Sequence, residues 1–152
     1  MRNNILFILF VARIAAFPSC KKVQENKIIK GEWEAEKVQT DFLTVDNAMT
    51  FLLPGYEDKS PCCKYIINFK DDETCTGTFT KDGVVMQVDD GEWYLTKFNQ
   101  IYVKLGAYID GVYDIDRKNR KFYILSTSNN ATVFVGNPIN AKVTMDIRRI
   151  DL

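Results

Sequence analysis

The triplet Gly31-Glu32-Trp33 opens the first stretch of this chain that alternates residue by residue as a β-strand does. A small residue two positions before a tryptophan leaves room for the large indole ring to fold over the place where the chain enters a sheet. The same triplet recurs as Gly91-Glu92-Trp93. We predict that the two tryptophans close and register a small antiparallel β-barrel.

Strand-like segments follow one another after residue 30, with turn residues between them. Lys81-Asp82-Gly83 and Asp89-Asp90-Gly91 carry the Asp-Gly pair that supplies the positive φ of tight hairpins. Strands recur about every 8–12 residues and no segment keeps a 3.6-residue period, which indicates an all-β sandwich or barrel. Because tight hairpins join most neighbours, we predict an up-and-down antiparallel β-barrel of about eight to ten strands.

The composition excludes several classes of function. The 152 residues suffice for one domain, and 46% hydrophobic and 26% charged residues are ordinary for a globular protein. The chain has no histidine, which rules out Ser-His-Asp and Cys-His catalysis and histidine-bound zinc. The formal net charge is zero, so nothing indicates a nucleic-acid surface. We therefore expect no enzyme activity, no cofactor, no metal site and no nucleic-acid partner.

The N-terminus has the pattern of an export signal. Arg2 precedes the apolar run Ile5–Ala12, which is too short to span a bilayer because spanning takes about 20 apolar residues. Arg13 interrupts the run before it reaches Phe17-Pro18-Ser19-Cys20. An ordinary cleaved signal with a chance cysteine, and a cytosolic chain with an apolar start, are the alternatives.

The stretch Phe17-Pro18-Ser19-Cys20-Lys21-Lys22 resembles the lipobox of bacterial lipoproteins, particularly those of Bacteroidetes-type bacteria. The resemblance implies that Cys20 becomes the first mature residue and carries acyl chains, each buried methylene of which adds about 0.8 kcal/mol of membrane affinity. Phe17 and Pro18 depart from the usual pattern. An acidic run after the cysteine resembles the surface-export signal of some of these lipoproteins. Its absence here favours an outer-membrane anchor facing the periplasm.

These features divide the chain into three parts. We predict a lipoprotein signal peptide at residues 1–19, a lipidated cysteine with a flexible charged tether at 20–30, and the barrel domain at 31–152.

The Gly-x-Trp start, the meander and an arginine near the end of the chain together resemble the lipocalin-like (calycin) barrels, and more closely the short lipocalin-like lipoproteins of Bacteroidetes-type bacteria. In that family a basic side chain of the last strand covers the first tryptophan at the closed end of the barrel. The resemblance implies such a closure by Gly31, Trp33 and Arg149 or Arg148. Alternation places Arg149 on the face of Ile147, so we favour Arg149. Another β-fold with Trp33 as a plain core aromatic is the alternative.

Three cysteines follow the predicted tether: Cys62, Cys63 and Cys75. An exported protein lies in a compartment that permits disulfides. A bridge from Cys63, or from Cys62, to Cys75 would contribute about 3 kcal/mol by constraining the unfolded chain. A vicinal Cys62–Cys63 bridge is strained and rarer. We predict a structural disulfide to Cys75, with Cys63 as the candidate partner and Cys62 as the open alternative.

The segment 39–61 is long and irregular, yet rich in apolar residues, as functional lids often are. Its candidate lid residues are Phe42, Phe51 and Leu53.

Six strand aromatics are candidates for the lining of a ligand cavity: Tyr65, Phe69, Phe79, Trp93, Tyr113 and Phe122. An eight-stranded barrel either holds a small ligand or is filled by its own side chains. We therefore expect a membrane-anchored, non-enzymatic binder of a small hydrophobic or amphipathic ligand. The alternative is a structural or protein-interaction lipoprotein with a filled core.

Overall fold

The computed structural model describes residues 29–58, 61–97, 99–106, 109–127, 131–135 and 137–151. The predicted signal peptide, Cys20 and the tether as far as residue 28 lie outside the described residues. No helix in the described ranges is long and apolar enough to cross a membrane.

One short helix and ten strands make up the regular structure of these ranges. The helix α1 is Met49–Leu52. The strands are β1 (Gly31–Thr40), β2 (Cys63–Phe69), β3 (Thr74–Lys81), β4 (Val84–Lys97), β5 (Gln100–Leu105), β6 (Ile109–Arg117), β7 (Phe122–Thr127), β8 (Ala131–Val135), β9 (Asn137–Ala141) and β10 (Val143–Arg149).

Eight of the strands close into an antiparallel barrel, which confirms the predicted all-β fold and is consistent with a lipocalin-like barrel. Strands β1 to β7 pair in chain order, and β10 pairs with both β7 and β1. The remaining two strands, β8 and β9, form a hairpin that pairs with Ile109 and Asp110 at the start of β6. This hairpin is the departure from a simple meander.

The two ends of the barrel differ in how they are covered. At one end, here called the closed end, β1 begins, β10 ends and the β2–β3 turn lies beside them. At the opposite end, here called the mouth, lie segment 41–58 with helix α1, the start of β2 and the β3–β4 turn. Segment 41–58 is called the cover segment below.

The barrel interior is filled by the inward-facing residues of its strands. The largest fully buried side chains include Trp33, Trp93, Tyr113 and Phe69. The rings of Phe69 and Trp93 pack edge to face, with centroids 5.4 Å apart. Such aromatic pairs add about 0.5–1.5 kcal/mol beyond the free energy of burying their surface. The core is therefore aromatic and packed from the closed end towards the mouth.

Strand β4 runs without interruption through Asp89-Asp90-Gly91, so the turn predicted there is wrong. Val84–Glu92 pairs with β3, and Gly91–Lys97 pairs with β5. Gly91 belongs to both ladders, and a Cβ at this position would collide with the backbone oxygen of Lys104. Glycine is needed at position 91 because the backbones of β4 and β5 approach closely there. In the sequence, a glycine required by such a close approach cannot be distinguished from a glycine required by a turn.

Candidate functional site

The closed end is built around Trp33. Its indole N–H donates to the carbonyl of Ile29 at 2.7 Å, and the ring is fully buried. Trp33 and Arg149 are partners in the β1–β10 ladder, and the guanidinium carbon lies 5.5 Å from the centre of the indole ring. The predicted contact is therefore present. A cation–π contact of this kind contributes about 0.5–2 kcal/mol, depending on how far the cation is desolvated.

Asp151 completes the closed end, and sequence reasoning missed it. Arg149 Nε donates to one carboxylate oxygen of Asp151 at 2.6 Å, and the Glu32 N–H donates to the other at 3.1 Å. The hydrogen bond from Arg149 lowers the pKa of Asp151. A Cβ at Gly31 would collide with this carboxylate, and Gly31 also has a φ of +113°. Glycine is thus required at the first position of the triplet, and Asp151 is the reason.

The second triplet is also structural. The Trp93 indole N–H donates to the Lys70 carbonyl at 3.1 Å, and the ring is buried. Trp93 thereby ties β4 to the β2–β3 turn at the closed end. Both tryptophans therefore cap the same end of the barrel by donating to a backbone carbonyl.

Five of the six aromatics predicted to line a cavity are buried: Tyr65, Phe69, Phe79, Trp93 and Tyr113. Phe122 is the exception, and its assignment to the interior is wrong. It pairs with Arg148 and is half-buried on the outer face, whereas Tyr123 is buried inside. The Tyr123 ring packs on Trp33 with centroids 4.6 Å apart. Phe122 and Tyr123 are adjacent aromatics, so the alternating pattern alone could not decide which of the two faces the interior.

The buried aromatics leave little free space. An apolar cavity at the mouth has a volume of about 20 Å³, room for a single water molecule. Ligand sites for drug-sized molecules measure about 300–1,000 Å³. The cavity is lined by Ala35, Val38, Met49, Leu52, Leu53, Tyr65, Ile67, Ile109 and Met145. In this state the interior is filled by the protein itself.

The cover segment supplies three of the side chains that close this cavity: Met49, Leu52 and Leu53. Of the predicted lid residues, Leu53 is buried and Phe42 is partly buried against the core. Phe51 is 53% exposed and faces solvent. The cover segment is therefore a plug with an apolar inner side and one exposed phenylalanine.

Asn47 attaches the cover segment to the barrel, a role that the sequence did not reveal. Its side chain is buried, and its Oδ1 accepts from the backbone N–H groups of Val38 at 3.1 Å and Met49 at 3.2 Å. Its Nδ2 donates to the Asp58 carboxylate at 2.9 Å. The side-chain amide of Asn47 thus joins β1 to the start of helix α1 and to Asp58 at the end of the cover segment.

A second buried polar group lies in the barrel wall at Asp89. The Tyr65 hydroxyl donates to Asp89 Oδ2 at 3.1 Å, and the Gln87 amide donates to both carboxylate oxygens at 2.9 and 3.0 Å. Asp89 was predicted in a hairpin turn, but it is 9% exposed and lies within β4. Hydrogen bonds to charged groups satisfy a buried carboxylate of this kind.

The predicted disulfide Cys63–Cys75 is wrong, and so is the alternative from Cys62. In the β2–β3 ladder Cys63 pairs with Lys81, whereas Cys75 pairs with Phe69 at the other end of β2. The 7-residue length of β2 separates these ends by about 20 Å. Disulfides need Cα atoms about 4.4–6.8 Å apart. Cys62, Cys63 and Cys75 all carry thiols, and Cys75 is too far from the other two because a hairpin places residues at its two ends far apart.

An exposed apolar stretch on β4 was also missed. Val84, Val85, Met86 and Val88 are each more than half exposed. This stretch, Val84–Val88, is called the β4 edge below. Among the described strands none pairs with it on the side away from β3. The available signal was four apolar residues within five positions, where a half-buried strand would alternate with polar residues.

Comparison with protein-family models and with curated proteins finds no match to this chain. The class of protein is therefore defined by the fold alone. It is a closed eight-stranded antiparallel barrel with a plugged mouth. Within the described ranges, no three Cys, Asp or Glu side chains come together as metal ligands.

Proposed function

We propose that this chain is a membrane-tethered, lipocalin-like interaction module, with a filled barrel that presents its surface to a protein partner. The observation that carries the proposal is the packed interior, in which the cavity at the mouth has a volume of only about 20 Å³. A barrel whose interior is filled by its own side chains can bind a partner only through its outer surface. Catalysis has little support, because the chain lacks histidine and the buried Asp89 is already held by Tyr65 and Gln87.

The position of Ile29 supports a defined orientation on the membrane. Ile29 is buried beside Trp33 at the closed end, so a tether at residues 20–30 would join the barrel there. An acylated Cys20 would then hold the closed end towards the membrane, with the mouth pointing away from it. Mass measurement of the mature N-terminus tests this anchor. An acylated Cys20 is expected, and a mature N-terminus at any other residue would remove the membrane from the proposal.

The β4 edge is the surface best suited to a protein partner. Exposed strand edges are usually guarded by lysine, proline or a cover, because unpaired backbone groups recruit other strands. Here Val85, Met86 and Val88 offer apolar side chains beside such an edge. An extended peptide with alternating apolar residues would add backbone hydrogen bonds and pack against them. The cover segment is a weaker candidate, since Phe51 is the one strongly exposed large apolar side chain described there.

Matched lysine substitutions on one strand test this surface. Val88→Lys places a charge on the β4 edge, whereas Tyr94→Lys places one on an exposed residue of the same strand where β5 already pairs. We expect host-envelope proteins cross-linked to the wild type to be lost with Val88→Lys and kept with Tyr94→Lys. Loss with both variants, or with neither, contradicts docking at the β4 edge, provided that circular dichroism shows both variants folded.

Binding of a small apolar ligand at the mouth is the second candidate, and the apolar lining beneath the cover segment favours it. A ligand would have to displace Met49, Leu52 and Leu53, which now occupy that space. Native mass spectrometry of protein purified from its host tests this mechanism. A co-purified small molecule, lost when an apolar competitor is added, supports it. Bare protein that also fails to shift with added lipids counts against it.

A further inference from the structure

Cys62 and Cys63 place their sulfur atoms side by side at the mouth. The two Sγ atoms lie 3.1 Å apart. Successive residues within a strand point to opposite faces, so adjacent cysteines in a strand keep their sulfurs apart. Here Cys62 belongs to the turn and Cys63 is the first residue of β2. The change of backbone direction at this junction brings both sulfurs to one side.

The two residues of the pair differ in exposure. Cys62 is partly exposed and borders an open pocket of about 460 Å³, which is also lined by Lys64, Thr80 and Asp82. Cys63 is 6% exposed and does not border this pocket. A disulfide-containing molecule can therefore reach Cys62 first, with Cys63 in position to react next.

We propose that Cys62 and Cys63 are a redox-modification site, oxidised reversibly to a vicinal disulfide by a low-molecular-weight disulfide. The Cys62 thiolate attacks one sulfur of the oxidant, breaks its S–S bond and releases one thiol. The Cys63 sulfur then attacks the Cys62 sulfur of the mixed disulfide and releases the second thiol. The protons of the two cysteines end on the two released thiols, so atoms and electrons balance.

Burial distinguishes the other two described thiols from Cys62. Burial raises the pKa of the Cys63 thiol, which keeps it protonated and slow towards external oxidants. Cys75 is 1% exposed, and burial raises its pKa to about 12, so it stays out of the exchange. The three cysteines in the described ranges thus comprise one partly exposed thiol, one resolving thiol and one inert thiol.

A bridge between neighbours would be easy to reduce. The Cα atoms of adjacent residues are about 3.8 Å apart across a trans peptide, below the usual disulfide range of about 4.4–6.8 Å. Strained disulfides have more oxidising potentials and are the labile, regulatory ones. The pair therefore suits a reversible change better than a permanent staple.

Oxidation would act on the attachment of the cover segment. The Cys62 carbonyl accepts from the Asp82 N–H at 2.8 Å, and the Cys63 thiol lies 4.0 Å from the Gly55 carbonyl. Lys81 Nζ donates to the same Gly55 carbonyl at 3.2 Å. Forming the bridge removes the Cys63 S–H and twists the peptide that holds the β3–β4 turn. We expect faster amide hydrogen exchange in the cover segment of the oxidised protein.

The test equilibrates the purified mature chain with mixtures of reduced and oxidised glutathione, followed by acid quenching, thiol alkylation and peptide mass mapping. In oxidising mixtures the peptide containing Cys62 and Cys63 should lose the mass of two hydrogen atoms and resist alkylation, while the Cys75 peptide remains alkylated. Adding reduced glutathione should restore both thiols. Cys75→Ser should behave as the wild type does.

Two variants separate the steps. Cys63→Ser should stop at a glutathione adduct on Cys62, and Cys62→Ser should leave Cys63 unmodified. The proposal is overturned if wild-type Cys62 and Cys63 stay alkylatable in every mixture. It is equally overturned if the wild type stops at the glutathione adduct, or if the bridge resists excess reduced glutathione. These mass readouts do not depend on any ligand or partner of the barrel.

Discussion

The closed end and the mouth of this barrel use polar groups in different ways. At the closed end Trp33, Arg149 and Asp151 bind one another or the backbone, and they join the first strand to the last. At the mouth, helix α1 is four residues long, its N-cap residue Ala48 makes no side-chain hydrogen bond, and Asn47 joins the helix to β1. A short helix contributes little stability of its own, so the cover segment is held by packing, by Asn47 and by a few further hydrogen bonds, such as the one from Lys81 to the Gly55 carbonyl. The comparison indicates that the closed end maintains the fold, whereas the mouth can change.

The largest effect is expected from Trp33→Ala. The substitution removes a fully buried indole, its hydrogen bond to Ile29 and the surface on which Arg149 lies. We expect a loss of about 3–5 kcal/mol in the free energy of unfolding, measured by urea denaturation with Trp93 as the fluorophore. Phe51→Ala at the mouth is the control, since its ring is 53% exposed and should cost less than about 1 kcal/mol. Equal losses would remove the distinction between the two ends.

Asn47→Ala tests whether the mouth depends on a single amide. The variant leaves the N–H groups of Val38 and Met49 without their acceptor, and each unsatisfied buried donor costs about 1–3 kcal/mol. Because the plug can partly open to water, we expect a total of about 2–3 kcal/mol. Hydrogen exchange should quicken in the cover segment, while the amides of β1 and β10 near Trp33 keep their protection. Uniform loss of protection would mean that the mouth and the closed end unfold together.

Gly31→Ala should have a smaller effect, and it tests why the first triplet needs its glycine. The Cβ of an alanine at position 31 would collide with the Asp151 carboxylate, and the alanine would have to adopt the φ of +113° that Gly31 has. Gly83→Ala is the matched control, because Gly83 has a φ of +78° with nothing near the added Cβ. Backbone strain alone costs about 1 kcal/mol. We expect Gly31→Ala to lose about 1–2 kcal/mol more than Gly83→Ala in chemical denaturation. Similar losses would show that Asp151 moves aside freely.

The closed end was largely predictable because its signals are local. The two-residue period of a strand is enough to place Arg149 on the same face as Ile147 and to assign Trp33 to the start of β1. The pairing of β1 with β10 then brings Trp33 next to Arg149. Asp151 was missed because it lies beyond the last strand, where no period applies. Phe122 was misplaced because the start of β7 decides which of two adjacent aromatics turns inward.

The mouth was less predictable because its contacts are made between segments far apart in the chain. The cysteine pairing depended on hairpin register, which separates Cys63 from Cys75 although both lie on neighbouring strands. Asn47 is one of several polar residues in an irregular segment, and only its position opposite Val38 distinguishes it. The β4 edge is exposed because β5 pairs with β4 only from Gly91 onwards. Long-range register, rather than residue type, decides each of these features.

The smallest expected effect is the pH dependence contributed by Asp151, which measures how far the closed end relies on its ion pair. The folded pKa of Asp151 is below that of the unfolded chain, chiefly because Arg149 donates to it. Its contribution is therefore fully present above the unfolded pKa, about 3.9, and is lost as the pH falls through the folded pKa. Partly exposed ion pairs contribute less than about 1 kcal/mol. The stability difference between wild type and Asp151→Asn, measured by urea denaturation, should shrink from pH 7 towards acid. In an Arg149→Ala background the same comparison should be nearly flat. A difference that persists unchanged in acid would mean that it does not come from the charge of Asp151, since the Glu32 N–H can donate to a neutral amide oxygen as well.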